Sequence, residues 1–222
     1  MKTEASGIEL NKLWERRILD SGADFVRFVD AGVLPGEAVE GYSCAVLFGK
    51  ALSTEYIGAL KDGLEPKHKE VFNTERRMDA LAVKIAEQLQ DEGYRSVGKL
   101  KTGLLPHKTV ALRAGLGFIG KNNLLITPQY GCALMMGKVL TEAPFAAASV
   151  TPQAPQCGGC DLCVRSCPNG ALLGKAWSVT TTREEIITRK LCTLCLKCMV
   201  CCPHTAKYIE RAVSGGSQAG GS

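Results

Sequence analysis

Eight cysteines carry the most specific chemistry in this sequence. Cys157, Cys160, Cys163 and Cys167, with Pro168 behind them, form a C-x2-C-x2-C-x3-C-P run, and Cys192, Cys195, Cys198 and Cys202, followed by Pro203, repeat it. This is the bacterial-type spacing for two [4Fe–4S] clusters, in which the fourth cysteine of each run ligates the other cluster. The expected sets are therefore crossed: Cys157, Cys160 and Cys163 with Cys202, and Cys192, Cys195 and Cys198 with Cys167. Three thiolates two residues apart wrap one cubane on a tight loop. The fourth, placed ahead of a proline-led helix, points toward the second cubane. Tetrahedral zinc is the main competitor, but it takes four ligands in two pairs and needs neither a third C-x2-C step nor a trailing Cys-Pro. Cys201 is surplus and reads as a free thiol, because the proline follows Cys202.

The rest of the composition sets bounds on this reading. The chain has 222 residues, 45% of them hydrophobic, and a net charge of +5. That suits a globular protein of one or two domains with a real core. The mild positive charge permits an anionic partner without indicating one, and there is no block of like charge. No apolar run reaches the roughly 18 residues of a membrane helix. The start, Met1-Lys2-Thr3-Glu4, is not a signal peptide. Eleven cysteines then point to a reducing, cytoplasmic setting and to metal rather than to a disulfide scaffold. Residues 214–222 are a low-complexity flexible tail.

The elements that must position the cysteines follow from periodicity. Leu10, Leu13, Trp14 and Ile18 predict an amphipathic helix over 5–20. Residues 25–29 and 44–48 predict strands, the second buried on both faces, with Cys44 a small core residue. Short helices are expected at 54–61 and 107–113. Met78, Leu81, Ala82, Ile85 and Leu89 make the stripe of a long helix near 75–92, with Asn73 or Thr74 as its cap and Gly93 at its end. A short strand is expected at 95–98. Strands at 124–127 and 133–140, joined by the turn Pro128-Gln129-Tyr130-Gly131, read as a hairpin. Residues 142–156 are a linker into the cysteine region, 182–190 an insert between the two runs, and 205–213 a last helix. The division expected is 1–145 for an α/β domain, 146–213 for the cluster domain and 214–222 for the tail.

Between helix and strand lies Ala114-Gly115-Leu116-Gly117-Phe118-Ile119-Gly120-Lys121-Asn122. Its G-x-G-x-x-G is not a dinucleotide turn, which requires strand, glycines and then helix. Gly115, Gly117 and Gly120 leave backbone N–H groups uncovered, and Lys121 and Asn122 add charge and amide donors. They form a candidate platform for a large planar or anionic ligand, with a tight structural turn as the competing reading.

This loop, the apolar Leu124-Leu125-Ile126, Pro128, Tyr130-Gly131 and the two cysteine runs together resemble the epoxyqueuosine reductase family, to which the reductive dehalogenases are distantly similar. The resemblance implies an α+β protein: a nitroreductase-like α/β domain, holding cobalamin, followed by a ferredoxin-like double [4Fe–4S] module that feeds the corrinoid single electrons. It makes Gly115, Gly117, Gly120, Lys121 and Asn122 cobalamin-binding candidates. The family's catalytic acid sits in an x-D-T-G segment, whose place is taken here by Lys101-Thr102-Gly103. Lys101 is therefore one catalytic candidate, able to donate a proton if burial lowers its pKa. His107 is the other, as a proton carrier, a cobalt ligand or a hydrogen-bond partner of a corrinoid amide; the competing reading is a histidine packed against its own helix. Cys132 stands where relatives have serine. The expected function is a cobalamin-dependent iron–sulfur reductase, taking electrons from a ferredoxin or flavodoxin to a small molecule or corrinoid. An electron-transfer module docking on a larger enzyme, without cobalamin, is the alternative. tRNA ranks behind these partners, because the helical repeats that hold it in the family are absent.

Overall fold

The computed structural model describes residues 2–64, 69–98 and 105–216. In chain order the elements are α1 (Lys2–Asp20), β1 (Phe25–Asp30), β2 (Cys44–Ala51), α2 (Thr54–Lys61), α3 (Lys69–Asp91), β3 (Ser96–Val97) and α4 (His107–Arg113). They continue as β4 (Phe118–Ile119), β5 (Leu125–Ile126), β6 (Leu134–Thr141), α5 (Leu162–Arg165), α6 (Lys197–Val200) and α7 (Pro203–Gly216). The expected mixed helix-and-sheet class holds. The division at 145/146 is drawn differently: one compact unit is Met1–Ala51, Val71–Leu116 and Met135–Pro152, and the other is Leu52–Glu70, Gly117–Leu134 and Gln153–Ser222. Sequence order hides this because each unit is assembled from three separated stretches.

The first unit is built on a four-stranded sheet ordered β1-β2-β6-β3. β1 and β2 are antiparallel from Phe25↔Gly49 to Asp30↔Cys44, and β3 meets β6 at Ser96↔Thr141 and Val97↔Leu140. Cys44, Ala45, Val46, Leu47 and Phe48 are all fully buried, as expected of a strand covered on both faces. One face joins Val26, Val46, Phe48 and Val139 to Trp14 and Ile18 of α1 and to the predicted stripe of α3, from Met78 to Leu89. Trp14 meets Phe145 edge-to-face at 6.4 Å, and truncating such a buried tryptophan costs about 3–5 kcal/mol. α4 packs against β2, with Val110, Ala111 and Leu112 buried. α3 begins well before its expected start. Asn73 and Thr74 lie inside it, and Thr74 is buried, so neither caps it. Its end at Gly93 holds: the Gly93 and Tyr94 N–H groups bond back to Gln90 and Leu89 carbonyls, and φ at Gly93 is +92°.

In the second unit β4 and β5 form a small hairpin, paired at Phe118↔Ile126 and Ile119↔Leu125. The expected hairpin of 124–127 with 133–140 is thus corrected. The turn at 128–131 does close, through Thr127 and Gly131 exchanging backbone hydrogen bonds at 2.9 and 3.0 Å, but β5 pairs upstream and β6 joins the other sheet. The local turn signal is real; the longer-range partner of each strand is decided by burial. α2 begins at Ser53, whose Oγ accepts the Tyr56 N–H and donates to Glu70. It lies beside α6 and α7, and Tyr208 of α7 donates its hydroxyl to the Leu52 carbonyl at 2.9 Å. The insert between the cysteine runs folds back on the stretch that follows the first run, through a Leu172↔Ile187 bridge.

Candidate metal centre

Cys157, Cys160, Cys163 and Cys202 line one cavity of about 200 Å³, together with Lys121, Asn122, Ile126 and His204. Three thiols come from the first run and the fourth from the second, which is the crossed set expected from spacing. Burial pushes the Cys163 thiol up to about 11, and the nearby Cys201, Cys157 and Cys202 add to that. Cys198 is pushed up to about 12 by burial, then by Cys195, Cys201, Cys163 and Cys192. Thiolates packed this closely repel one another, and a cationic metal core among them removes that penalty. The third cysteine of each run sits in a one-turn helix, Cys163 in α5 and Cys198 in α6, and the two helices touch. The second run also holds Leu194 at φ +55° and Leu196 at φ +61°. Such left-handed non-glycine residues cost about 1–3 kcal/mol each and concentrate at binding sites. Among the described residues, no three His, Cys, Asp or Glu side chains converge as a single-ion site.

The glycine loop serves these cysteines. Lys121 Nζ donates to the Gly158 carbonyl at 2.9 Å and the Cys160 carbonyl at 3.0 Å. Asn122 Nδ2 donates to Cys132 Sγ at 3.3 Å and the Cys198 carbonyl at 3.2 Å, while its Oδ1 accepts the Leu124 N–H. The donors expected to meet a corrinoid are therefore engaged with the cysteine loops. A Cβ at Gly117, where φ is +158°, would collide with the Ile126 carbonyl oxygen, and one at Gly120 would meet Ile126 Cδ1 at 2.5 Å. Those glycines let the hairpin close on itself. Gly115, at φ +69° just past α4, faces Val150. The tight-turn reading accounts for all three, and the five residues do not fit as a cobalamin platform.

Cys202 immediately precedes α7, whose first residue is Pro203, a favoured opening because proline lacks the N–H that would go unpaired there. The neighbouring Cys132 chiefly pulls the Cys202 thiol down to about 6, with the His204 and Thr205 backbone adding to this and burial opposing it, and the Thr205 N–H donates to the Cys202 carbonyl at 2.9 Å. The Cys132 thiol is pushed upward by the neighbouring Cys202 and by burial. Cys132 is also fixed by its own N–H, which donates to Thr205 Oγ1 at 3.1 Å. The other crossing ligand differs. Cys167 accepts the Ala171 N–H at 3.2 Å, and Pro168 leads into a turn at Gly170, φ +60°, instead of the expected helix. Cys201 is half-buried, and burial pushes its thiol up.

In the first unit, His107 opens α4 half-buried, and burial followed by the nearby Lys138 ammonium pushes its pKa down to about 4. It is neutral at pH 7. Lys138 itself is 8% exposed in β6, with its pKa lowered by burial and Asp79 opposing. Lys101 lies outside the described residues, as do Lys67 and His68.

No family model matches the chain. An epoxyqueuosine reductase of Listeria monocytogenes is 36% identical over 134 residues, covering 54% of this chain and 34% of that protein. A solved epoxyqueuosine reductase, bound to an epoxyqueuosine-modified tRNA-Tyr stem loop, superposes with a TM-score of 0.59 at 18% identity, over 89% of this chain and 66% of that one. A solved reductive dehalogenase, described with a mechanism for B12-dependent dehalogenation, superposes with a TM-score of 0.58 at 21% identity, over 87% of this chain and 32% of that one. This chain resembles the epoxyqueuosine reductases. The matched stretch spans about a third of that curated relative. At these identities the likeness to the solved epoxyqueuosine reductase and dehalogenase is one of fold.

Two residues gain a place that spacing alone does not give them. Lys138 is a single cation within the apolar stretch Gly137-Lys138-Val139-Leu140, a conflict between residue type and strand burial that is visible in the sequence. Thr205 carries no such signal, since its partner Cys132 is 73 residues away.

Proposed function

We propose that this chain is an iron–sulfur oxidoreductase of the epoxyqueuosine reductase kind, taking single electrons through two [4Fe–4S] clusters to a corrinoid. The reading rests on the cavity shared by Cys157, Cys160, Cys163 and Cys202, and the second set is Cys192, Cys195, Cys198 and Cys167. When bound, such clusters supply low-potential electrons. The chain's own residues hold the thiol loops: Lys121 and Asn122 fix the carbonyls of both runs, and the start of α7 fixes Cys202. The nitroreductase-like and ferredoxin-like arrangement, a cytoplasmic location, and a ferredoxin or flavodoxin donor belong to the same reading. Cobalamin is proposed from the relatives, and the glycine loop is not its platform. Lys101 and His107 remain candidate catalytic groups, with Lys138 added beside His107. The substrate is a small molecule or corrinoid; the solved relative bound to a tRNA stem loop supports tRNA as a further partner.

Anaerobic reconstitution with iron and sulfide, followed by iron analysis, EPR and cobalamin titration, tests this. About eight irons per chain are expected for two clusters, with alanine at Cys202 removing the first-set signal. Zinc in place of iron ends the cluster reading. Iron without any cobalamin binding leaves an electron-transfer module.

A further inference from the structure

The second cysteine run presents apolar surface that the fold does not use. Leu191 is 45% exposed and Leu194 58% exposed. Leu194 sits between Cys192 and Cys195 at φ +55°, a backbone conformation that glycine or asparagine adopts more cheaply. Neither the core nor the turn therefore calls for leucine there. Asn169 Nδ2 donates to the Leu191 carbonyl at 3.0 Å, which ties this surface to the turn just past Cys167. The patch is thus bounded by the segments that carry all four thiols of the second set. Its rim is basic. From Ile186 to Ile209 there are four Lys or Arg and no Asp or Glu, and Arg189, Lys190 and Lys197 are exposed. The ion pairs of this unit, Arg165–Asp161 and Lys175–Glu185, are made by other residues, and among the described residues these three cations have none.

We propose that this surface docks a small acidic ferredoxin, with Leu191 and Leu194 at the centre of the contact and Arg189, Lys190 and Lys197 around it. The inference rests on the cluster reading above and assigns the place where electrons enter. An apolar centre inside a polar rim is the usual anatomy of a protein–protein contact, and contacts between redox partners are small. Unpaired cations steer an anionic carrier to such a site. A second copy of this chain, with its net charge of +5, would bring like charge to the rim. RNA loops ask instead for aromatic stacking platforms, and residues 186–207 contain no Phe, Tyr or Trp. In the transfer, the reduced iron–sulfur centre of the ferredoxin is oxidised by one electron. The cluster held by Cys192, Cys195, Cys198 and Cys167 is reduced by one, and no bond breaks and no proton moves.

The test mixes a photoreduced acidic plant-type ferredoxin with the anaerobically reconstituted full chain and follows the ferredoxin's reoxidation by stopped flow. The variants are Arg189→Glu, Lys190→Glu, Lys197→Glu and Leu194→Asn, with Lys84→Glu, an exposed lysine of the first unit, as the control for net charge. At low salt each reversal beside the second run should slow reoxidation about tenfold, and the rates should converge with wild type as salt screens the rim. Leu194→Asn, which tolerates the left-handed turn, should slow it at every salt concentration. Lys84→Glu should match wild type. Iron content and reduction by dithionite separate lost docking from a damaged cluster; Arg189→Glu, the reversal farthest in sequence from a ligand, carries the test if Lys197→Glu loses iron. Wild-type rates in the reversals, or an equal loss in Lys84→Glu, overturn the proposal. Unchanged electron uptake with lost binding of a tRNA stem loop assigns the surface to RNA and overturns it too. A wild type that holds iron but takes no electrons from the ferredoxin overturns the docking alone, whereas one that holds no iron removes the cluster reading and this inference with it.

Discussion

Acidification should weaken the first unit through His107. Burial and Lys138 hold the folded-state pKa at about 4, against 6.5 for the free group. Between these values the unfolded chain takes up a proton that the folded chain refuses, so stability rises with pH across this window and is lost as pH falls. Linkage puts the loss at about 2 kcal/mol by pH 5 and about 3 kcal/mol by pH 4. His107→Leu keeps an apolar side chain and cannot titrate. Urea unfolding of both proteins at pH 7 and pH 5, followed by fluorescence of the fully buried Trp14, isolates the effect, because acid damage elsewhere is common to the two. The stability gap should shift by about 2 kcal/mol in favour of the variant at pH 5. A gap that stays constant between the two pH values would show that His107 is as easily protonated folded as unfolded.

Lys121→Met removes the donor to the Gly158 and Cys160 carbonyls, charge-assisted bonds of about 1.5–3 kcal/mol each at most. Iron should pass to a competing chelator faster than from wild type, and equal absorbance decay would mean the lysine does not hold the loop. Gly131→Ala places a Cβ 2.5 Å from Thr205 Cα at φ +55°. Left-handed strain and overpacking together cost about 2–5 kcal/mol, so amide exchange in the first turn of α7 should accelerate; unchanged exchange would refute the clash.

Local signals were legible and distant partnerships were not. The bounds of α2 and α4 and the stripe of α3 all follow from spacings within a few residues. β4 is hidden because Phe118-Ile119 sits inside a glycine-rich stretch that reads as loop. The start of α3 is obscured by Asn73 and Thr74, good caps that tertiary burial of Thr74 draws into the helix. Lys121 and Asn122 show the same limit from the other side. Their residue types announce hydrogen bonding, but the carbonyls they donate to lie 37 to 76 residues away, and only the fold decides between a bound ligand and the protein's own carbonyls.

The chain passes between its two compact units after Ala51, Glu70, Leu116, Leu134 and Pro152. During synthesis, which proceeds from the N-terminus, every stretch of the first unit has been made before Cys157 is added. Its sheet needs no residue of either cysteine run to close. The second unit must wait for its last stretch, although α2 and the β4–β5 hairpin are already present. Any cluster completed by the second cysteine run must therefore wait until that last stretch has been made. A fragment cut at residue 153 would carry all eight cysteines yet lack Lys121, Asn122 and Cys132, so the cysteine runs are not a transplantable cassette.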